Sequence, residues 1–579
     1  MSSARLASRS LGGLLLALAL PVPLAAQASA AAAARGELPL KLAPRPTSPA
    51  ISAADLMTRL YIFADDSMMG RQVGTEYNLK GTAYIEREVR RLGLQPAGDN
   101  GGYFQNIPLY AYTVDSAATS LRVGGKALAY GTDYLPISRG ERRVSLDGAP
   151  VVYGGSTADS TTWLSAGVAK GKIVVMSVEP TANPFRNAFF TVNQRYGGAA
   201  AVLVASLERV PANVRAYFAR FTALKSDATP AAGAPTVFIA PAVAASLFNG
   251  ATPHALKPGA AGNAVSGMLV LHESQAPGRN VVAILPGGDP ALRGEYVAIG
   301  AHNDHVGYDH TPVDHDSLRA LNMVARQQGA DNAPPGKLTD AQQARFTALL
   351  DSLRTVHPAR QDSIFNGADD DGSGSVSVLE VAEAFATAKQ KPKRSILFVW
   401  HTGEEAGLYG SAFFTDHPTV PRDSIVAQLN MDMVGRGGAN DVTGETKEGG
   451  LTHGGPGYLQ LVGSRRLSTE LGDLIEQVNR DNHLGFNFDY SMDANGHPQN
   501  IYCRSDHYEY ARYGIPIVFF TTGGHADYHQ VTDEPQYIDY DHYARVTTLI
   551  RDIALRVADL DHRVAVDKAK PDPKGPCVQ

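Results

Sequence analysis

Four runs of mostly apolar residues mark the second half of the chain and predict buried strands at 280–285, 296–300, 395–400 and 515–520. Amphipathic stretches separate these runs. Nearly continuous apolar runs are typical of a sheet that is covered on both faces by helices. We therefore predict an α/β domain over 266–565, built on a mostly parallel mixed sheet sandwiched by helices.

Two further segments near the start of the chain have helical patterns. One begins near Ser52, a residue type that caps helices well, and places Leu56 and Leu60 about one turn apart. The other spans 78–93 and carries its apolar residues on one side. We assign 51–119 to the first part of the same α/β domain.

The pattern of apolar runs and turns changes between 120 and 265. Short β-rich runs at 172–176 and 199–204 alternate there with turns bounded by glycine and proline, and clusters of His, Asp or Glu are few. This pattern predicts a separate β-rich domain, 120–265, without catalytic residues. A polar, helix-prone stretch at 308–365 is expected to be a second insert, and 566–579 a C-terminal tail.

The first residues have the pattern of a secretory signal. Two arginines precede a short apolar run at 11–20, and Ala26 and Ala28 flank Gln in a small-x-small cleavage site. The apolar run is too short to span a membrane and is soon followed by proline. We expect 1–28 to be a signal peptide that exports the protein to the periplasm or the medium, without stable membrane insertion, and 29–50 to be a flexible leader.

Composition excludes some partners and leaves one covalent question open. Apolar residues make up 44% of the 579 residues and the net charge is −6, which gives no basis for binding nucleic acid or an anionic membrane. The two cysteines, Cys503 and Cys577, are too few for a structural zinc site. In an exported protein they are able to form a disulfide, but the sequence leaves their pairing open.

Side chains that bind metal ions or transfer protons follow three of these apolar runs and a further predicted strand at 426–430, and an acid-rich loop adds more. In chain order they are His302 and Asp304, Asp369 to Asp371, Glu404 and Glu405, Asp432, and Tyr528 and His529. An open α/β sheet places its functional site at the carboxyl ends of its strands, so these residues are expected to converge. None of the features is specific alone, and the prediction rests on their recurrence at strand ends.

The chemistry of the set suits a pair of zinc ions. Zinc favours imidazole and carboxylate ligands and, in catalytic sites, an open position for water. Two ions that share a water need about five protein ligands, including a carboxylate that bridges both. The spacing of His302 and Asp304 allows the carboxylate to orient a ligating ring. The adjacent Glu404 and Glu405 allow one carboxylate on the metal while its neighbour stays free as a base.

The acid-rich loop also fits a different metal. Residues Asp369 to Gly374, followed by Glu380, match the spacing of a calcium-binding EF-hand loop. Pro358 interrupts the helix that should lead into such a loop. Asp370 is the central ligand in the zinc interpretation and a non-ligand in the calcium interpretation, and both stay open at this point.

Eight short motifs in a fixed order make the chain resemble the dizinc metallopeptidase family that includes secreted bacterial leucyl aminopeptidases and glutamate carboxypeptidase. The motifs lie at 66–71, 300–305, 366–374, 403–408, 430–433, 504–507, 514–516 and 527–529. Two runs at 172–175 and 197–201 bear a weaker likeness to the protease-associated domain, a common insert in that family. The resemblance implies the zinc exopeptidase fold with such an insert.

The resemblance also implies which residues hold the metal. His302 and Asp432 would bind one zinc ion, and Glu405 and His529 would bind the other. Asp370 would bridge the two.

Three further roles and the activity follow from the same resemblance. Asp304 would orient His302, Glu404 would be the general base, and Tyr528 stands where a tyrosine stabilises the oxyanion in some relatives. The implied activity is hydrolysis of peptides at their ends, with an aminopeptidase favoured. The alternatives on a related fold are a carboxypeptidase, a non-catalytic binding protein and an aminoacyl cyclase that uses one metal.

Some positions depart from the family pattern without removing a ligand. Asn303 stands where an aromatic residue is usual, and Asp371 and Gly372 replace the commoner Asn-Ala. The insert at 308–365 separates the first two ligands by far more than usual. Because this insert is able to reshape the substrate entrance, the resemblance does not predict the substrate specificity.

Overall fold

The computed structural model describes residues 38–579 except 138–141, 180–191, 193–194, 211–214, 216–219 and 225–232. The expected signal peptide, 1–28, and the first part of the leader lie outside the described residues. None of the helices described is long and apolar enough to cross a membrane.

A nine-stranded mixed sheet forms the centre of the α/β part. Eight strands follow one another across it in the order Gln95–Pro96, Arg279–Leu285, Ser395–His401, Tyr296–His302, Ile425–Met431, Ile517–Thr521, Tyr458–Val462 and Asn487–Asp489, and Phe104–Asn106 also pairs with Arg279–Leu285. The four strands from Ser395–His401 to Ile517–Thr521 run parallel. The predicted α/β class and the four predicted strands are confirmed, and Arg279–Leu285 runs antiparallel to its neighbour Ser395–His401.

The central strands bury both of their faces. Val297 and Ile299 belong to one apolar core, whereas Ala298 between them belongs to a second core on the opposite face of the sheet. Five helices contribute to the first core: Ala53–Phe63, Glu76–Arg91, Gly374–Thr387, Thr469–Asp481 and Tyr540–Ala558. Tyr409–Asp416 and His507–Ala511 contribute to the second. Because successive side chains of a strand point to opposite faces, two-sided burial explains why these runs are apolar throughout.

A β-rich part of the chain forms two more sheets. The six-stranded sheet contains Arg220–Leu224, Leu109–Val114, Val265–Ala276, Ser120–Val123, Lys126–Ala127 and Arg142–Ser145. The five-stranded sheet contains Tyr134–Ile137, Thr236–Ile239, Ala201–Ala205, Ile173–Ser177 and Val151–Ser156, with helices Ala166–Ala169 and Pro241–Leu247 in the same region. Leu121 and Leu269 of the first sheet share a core with Ile173 and Val237 of the second. The division of the chain at 120 and 265 stays a prediction.

The stretch 308–365 forms a β-hairpin that encloses two helices. Strands Tyr308–Asp314 and Gln361–Ile364 pair antiparallel, and helices His315–Ala325 and Asp340–Arg354 lie between them. A capping box between Thr339 and Gln342 starts the second helix. The guanidinium of Arg319 donates to the Asp527 carboxylate at 2.6 Å, which fastens the insert to the loop that carries Tyr528 and His529.

The end of the chain is tied to the α/β part by a covalent link. Cys503 and Cys577 form a disulfide with their Cα atoms 5.8 Å apart, which answers the question that the sequence left open. A separate two-stranded hairpin is formed by Val442–Glu445 and Leu451–His453.

Candidate metal centre

The carboxyl ends of the parallel strands bring the candidate ligands to one edge of the sheet. His302 is the last residue of Tyr296–His302, and Asp432 directly follows Ile425–Met431. Glu404 and Glu405 follow Ser395–His401, which pairs in parallel with the other edge of Tyr296–His302. Open α/β sheets collect their functional residues at this edge, as the sequence predicted.

His302, Asp370 and Asp432 form the first group of metal-binding atoms. His302 Nε2 lies 3.1 Å from Asp370 Oδ1 and 3.7 Å from Asp432 Oδ1. All three side chains are buried.

A second group lies on the other side of Asp370. His529 Nε2 lies 2.9 Å from Asp370 Oδ2 and 3.0 Å from Glu405 Oε2. His305 joins this group, with its Nδ1 2.7 Å from Glu405 Oε1. Asp370 therefore turns one carboxylate oxygen towards each group, and the structure brings all five predicted ligands together.

The unsatisfied polar atoms of the two groups fit metal ions. Across the described residues, His302 Nε2, both ring nitrogens of His305, Glu405 Oε1 and His529 Nε2 are buried without a hydrogen-bond partner. Burying such atoms unpaired is costly. In each group the donor atoms lie within 4.8 Å of one another, and imidazole with carboxylate is a donor set that zinc prefers.

Electrostatics in the centre point the same way. Burial opposes the charged form of the His302 ring, yet the carboxylates of Glu404 and Asp432 hold the pKa of His302 well above its ordinary value. Burial, with nearby Asp432 and Glu405, raises the pKa of the Glu404 carboxyl well above its ordinary value. Such a concentration of buried carboxylates attracts cations, because the acids repel one another when no positive charge lies between them.

The loop that carries Glu404 is held by Asp304. Asp304 Oδ1 accepts hydrogen bonds from the backbone N–H groups of Gly403 at 2.8 Å and Glu404 at 3.2 Å. The same oxygen lies 3.7 Å from His302 Nδ1, while the Asp304 carbonyl oxygen lies 3.2 Å from that nitrogen. Asp304 thus faces the His302 ring, as expected, and also fixes the position of Glu404.

The supporting roles of three side chains were not predicted from the sequence. Asp371 accepts from the backbone N–H of His302 at 3.0 Å, Asp533 from that of Asp370 at 3.1 Å, and Ser505 Oγ donates to Asp432 Oδ2 at 2.7 Å. Burial raises the pKa of Asp533 to about 6. Ser505 lies in the 504–507 motif, whereas the sequence around Asp533 carries no comparable signal.

Replacing Ser505 by alanine is expected to weaken the first metal position selectively. The substitution removes the hydrogen bond that orients Asp432, and loss of such a supporting contact typically costs roughly 10–100-fold in metal affinity. Titration of the metal-free protein with zinc against a competing chelator measures the effect. Ser377→Ala is the matched control, because Ser377 is a buried serine whose hydroxyl contacts Thr547 instead of a ligand. Equal affinities in the two variants would contradict the role given to Ser505.

Tyr528 connects the centre to the insert. Its ring stacks on His529 with the ring centroids 4.1 Å apart, and its hydroxyl accepts from the Arg504 guanidinium at 3.3 Å. Arg504 also pairs with Asp331 of the insert at 3.3 Å. The insert therefore contributes to the wall beside the metal centre.

Two cavities meet at the centre. The first has a volume of about 690 Å³, and its walls include Glu404, Met433, Met492, Phe519 and Tyr528. The second is a wider cleft of about 2250 Å³, between the centre and the β-rich part, with Gln72, Thr222, His305, Pro277 and Ala406 among its lining residues. Both cavities therefore border the candidate metal centre, the first at Asp370 and Glu405 and the second at Glu405 and His529.

The calcium interpretation of the acid-rich loop is wrong. Glu380 lies on the helix Gly374–Thr387, where it accepts a hydrogen bond of 2.5 Å from Arg59 Nε. That carboxylate is buried against Arg59 and cannot close an EF-hand loop. Asp370, the non-ligand of that interpretation, lies at the centre of the zinc-type cluster.

In a third group of potential ligands, the carboxylate charges are already balanced by ion pairs within the protein. His315, Asp362 and Glu534 lie close enough to hold an ion. The Arg360 guanidinium, however, contacts both carboxylates, and His315 Nε2 lies 2.8 Å from Glu534 Oε2. This group is a buried ion-pair network between the insert and the α/β part.

Comparison with known proteins finds similarity to a peptidase family and to individual enzymes. Residues 280–554 match the family described as Peptidase family M28. Leupeptin-inactivating enzyme 1 of Streptomyces exfoliatus is 29% identical over 178 residues, which are 30% of this chain and 33% of that protein. Leucine aminopeptidase 1 of Coccidioides posadasii is 32% identical over 195 residues, which are 31% of this chain and 45% of that protein.

Solved structures share the fold along most of the chain. An aminopeptidase from Aneurinibacillus sp. strain AM-1 has a TM-score of 0.50 at 17% identity, covering 90% of this chain and 97% of that one. A zinc aminopeptidase from Bacillus subtilis has a TM-score of 0.50 at 17% identity, covering 88% and 95%. The matched segments span less than half the length of the curated sequence relatives just described.

Proposed function

We propose that the chain is an exported dizinc aminopeptidase that releases residues from the free N-termini of peptides, a function supported by the match of residues 280–554 to Peptidase family M28. One observation carries the proposal. The two oxygens of Asp370 face two separate groups of buried imidazole and carboxylate donors, His302 with Asp432 and His529 with Glu405.

Zinc, when bound, would polarise the scissile carbonyl and make the attacking water more acidic. Glu404 belongs to neither donor group, although it lines the first cavity beside both of them. Asp304 fixes the backbone of Glu404, so its carboxylate is placed to take a proton from the water and return it to the leaving amine. The Tyr528 hydroxyl, held by Arg504, lies on the same cavity wall and is placed to stabilise the oxyanion.

The charge of the first cavity favours a substrate amine over a carboxylate. Glu404 lines this cavity and is not among the ligands whose charge the zinc ions would offset, and the basic residue beside it, Arg504, is already paired with Asp331. An ammonium group is attracted to such a wall, whereas a terminal carboxylate is repelled. The direction of attack proposed is therefore from the N-terminus.

The same cavity supports a preference for apolar first residues. Met433, Met492, Ile501 and Phe519 line it, and Gly444 leaves room between them. Burial of an apolar substrate side chain against these residues contributes about 25 cal/mol for each Å² removed from water. The wider cleft on the side of His305 would then hold the rest of the peptide.

Peptide substrates that differ only in their termini test this direction of attack. Leucine p-nitroanilide and a leucine-first peptide are expected to be hydrolysed, and their N-acetylated forms to resist hydrolysis. Cleavage of N-acetylated peptides from a free C-terminus would instead identify a carboxypeptidase. Absence of turnover on every substrate with zinc bound would identify a non-catalytic binding protein.

The remaining parts of the chain have proposed roles around this activity. We propose that 1–28 directs export and is removed, and that the β-rich part, 120–265 in the predicted division, is a protease-associated domain. Thr222 of this part lines the wider cleft, which supports a role of this part in covering the path of the peptide. The insert 308–365 would narrow the other side of the entrance through Asp331.

A further inference from the structure

The two candidate zinc positions differ in the number of protein donors. His302, Asp370 and Asp432 form the first group, whereas the second group contains Asp370, Glu405, His529 and also His305. His305 is not among the five ligands implied by the resemblance. The difference in donor number therefore comes from a side chain that the resemblance does not account for.

The ring of His305 lies directly in the second group. Its Nδ1 is 2.7 Å from Glu405 Oε1 and 3.8 Å from Asp370 Oδ2, and its ring packs edge-on against His529 with centroids 5.3 Å apart. The ring is buried, and neither nitrogen has a hydrogen-bond partner of good geometry among the described residues. A buried imidazole with two unsatisfied nitrogens is costly, so a partner beyond these side chains is expected.

The backbone around His305 is built to hold the ring in place. Gly367 has a φ of 56°, and a Cβ at this position would lie 2.5 Å from His305 Cγ and 2.3 Å from the Asp370 carbonyl oxygen. Glycine therefore lets the loop that carries Asp370 close directly onto the ring. Arg71 braces that loop by donating to the Gly367 carbonyl at 2.9 Å. The position of the ring is thus fixed by the same loop that supplies the shared carboxylate.

We infer that His305 is a ligand of the zinc ion held by Glu405 and His529. This position then has four protein donors, with Asp370 shared, and the His302 position has three. Closed zinc sites use four protein ligands, while catalytic sites keep three and leave a position open. The second position is therefore the tighter one and fills first, and the exchangeable coordination position belongs to the ion at His302. The inference rests on the proposed dizinc function.

Zinc titration of His305→Ala against His310→Ala tests the assignment. His310 is an exposed histidine that lines the same cleft and belongs to neither donor group, so it is the matched control. The wild-type protein is expected to bind zinc in two steps. In His305→Ala the tighter step should weaken by more than the roughly 10–100-fold that loss of a supporting contact costs. His310→Ala should leave both steps unchanged.

A second variant separates ligation from a hydrogen bond to Glu405. His305→Gln keeps a donor that can reach the carboxylate but lacks the imidazole nitrogen. It should weaken the tighter step as much as His305→Ala does. Restoration of wild-type affinity by glutamine would overturn the inference, because it would show that His305 only orients Glu405.

A crystal structure of the zinc-loaded protein gives a readout independent of affinity. The inference expects a His305 nitrogen at about 2.0–2.1 Å from the zinc beside Glu405. A ring that instead hydrogen-bonds to Glu405, with no nitrogen on the metal, would overturn it. In that case, continued hydrolysis of N-terminally free peptides by the two-zinc enzyme would leave the proposed function standing. Absence of a second zinc in the wild-type protein would overturn both.

Discussion

Replacing Glu404 by glutamine is expected to lower kcat on an N-terminally free peptide by roughly 10²–10⁴-fold while the zinc content stays unchanged. The amide has nearly the same shape as the carboxylate but cannot accept the proton from the attacking water. Glu404 belongs to neither donor group, so its replacement should leave both metal positions intact. Steady-state kinetics and zinc analysis on the same preparation measure the two quantities together.

Glu76→Gln is the control for the Glu404 variant. Glu76 is an exposed carboxylate outside both donor groups that lines the cleft proposed for the rest of the peptide, so this change should leave the zinc content at two and lower kcat by far less than Glu404→Gln does. Wild-type turnover by Glu404→Gln would contradict its role as the base. Loss of zinc from that variant would show that Glu404 is a ligand instead.

Replacing Asp370 by alanine is expected to weaken both metal positions and reduce hydrolysis to background. Each oxygen of this carboxylate faces a different group, Oδ1 towards His302 and Oδ2 towards His529. Removing it takes a ligand from both ions, which leaves two protein donors at the first position and three at the second. Zinc per chain after dialysis should fall from two to below one.

Asp432→Ala is the matched comparison, because Asp432 contributes to the first group alone. It should lose the ion at His302 and keep the ion at Glu405. Two ions retained by Asp370→Ala would rule out a bridging carboxylate. Equal losses in the two variants would show that the positions fill together and are not distinguished by their ligands.

The convergence of the five ligands was predictable because it follows from sheet geometry. The runs at 296–300 and 395–400 are apolar throughout, which indicates buried parallel strands, and ligands placed after such strands must share an edge. The strand at 280–285 runs antiparallel to its neighbour, but it carries no ligand. Its direction therefore does not affect the edge of the sheet at which the ligands meet. The catalytic core could be predicted for this reason.

Residues whose role depends on contacts remote in sequence could not be found in this way. His305 follows Asp304 in the chain, but only the closure of the loop at Gly367 places its ring beside Glu405. Asp533 is likewise recognisable only once its carboxylate is seen to accept from the backbone of Asp370. In each case a loop conformation, and not a local pattern, supplies the contact.

In the β-rich part, the length of one strand could not be predicted from the sequence either. The apolar run within Val265–Ala276 covers only Met268 to Leu271, because the strand continues through exposed polar residues such as His272. It extends over 12 residues because it pairs with Leu109–Val114, Ser120–Val123 and Arg142–Ser145 at once. Pairing partners 123–167 residues away in the chain are set by the tertiary fold, as is common for strands.

Diffraction from a crystal of the exported protein, collected on both sides of the zinc absorption edge, tests the central claim most directly. The account predicts two anomalous peaks, one on either side of the Asp370 carboxylate, with Glu404 facing them and bound to neither. A single peak, or no peak at all in a catalytically active protein, would contradict it.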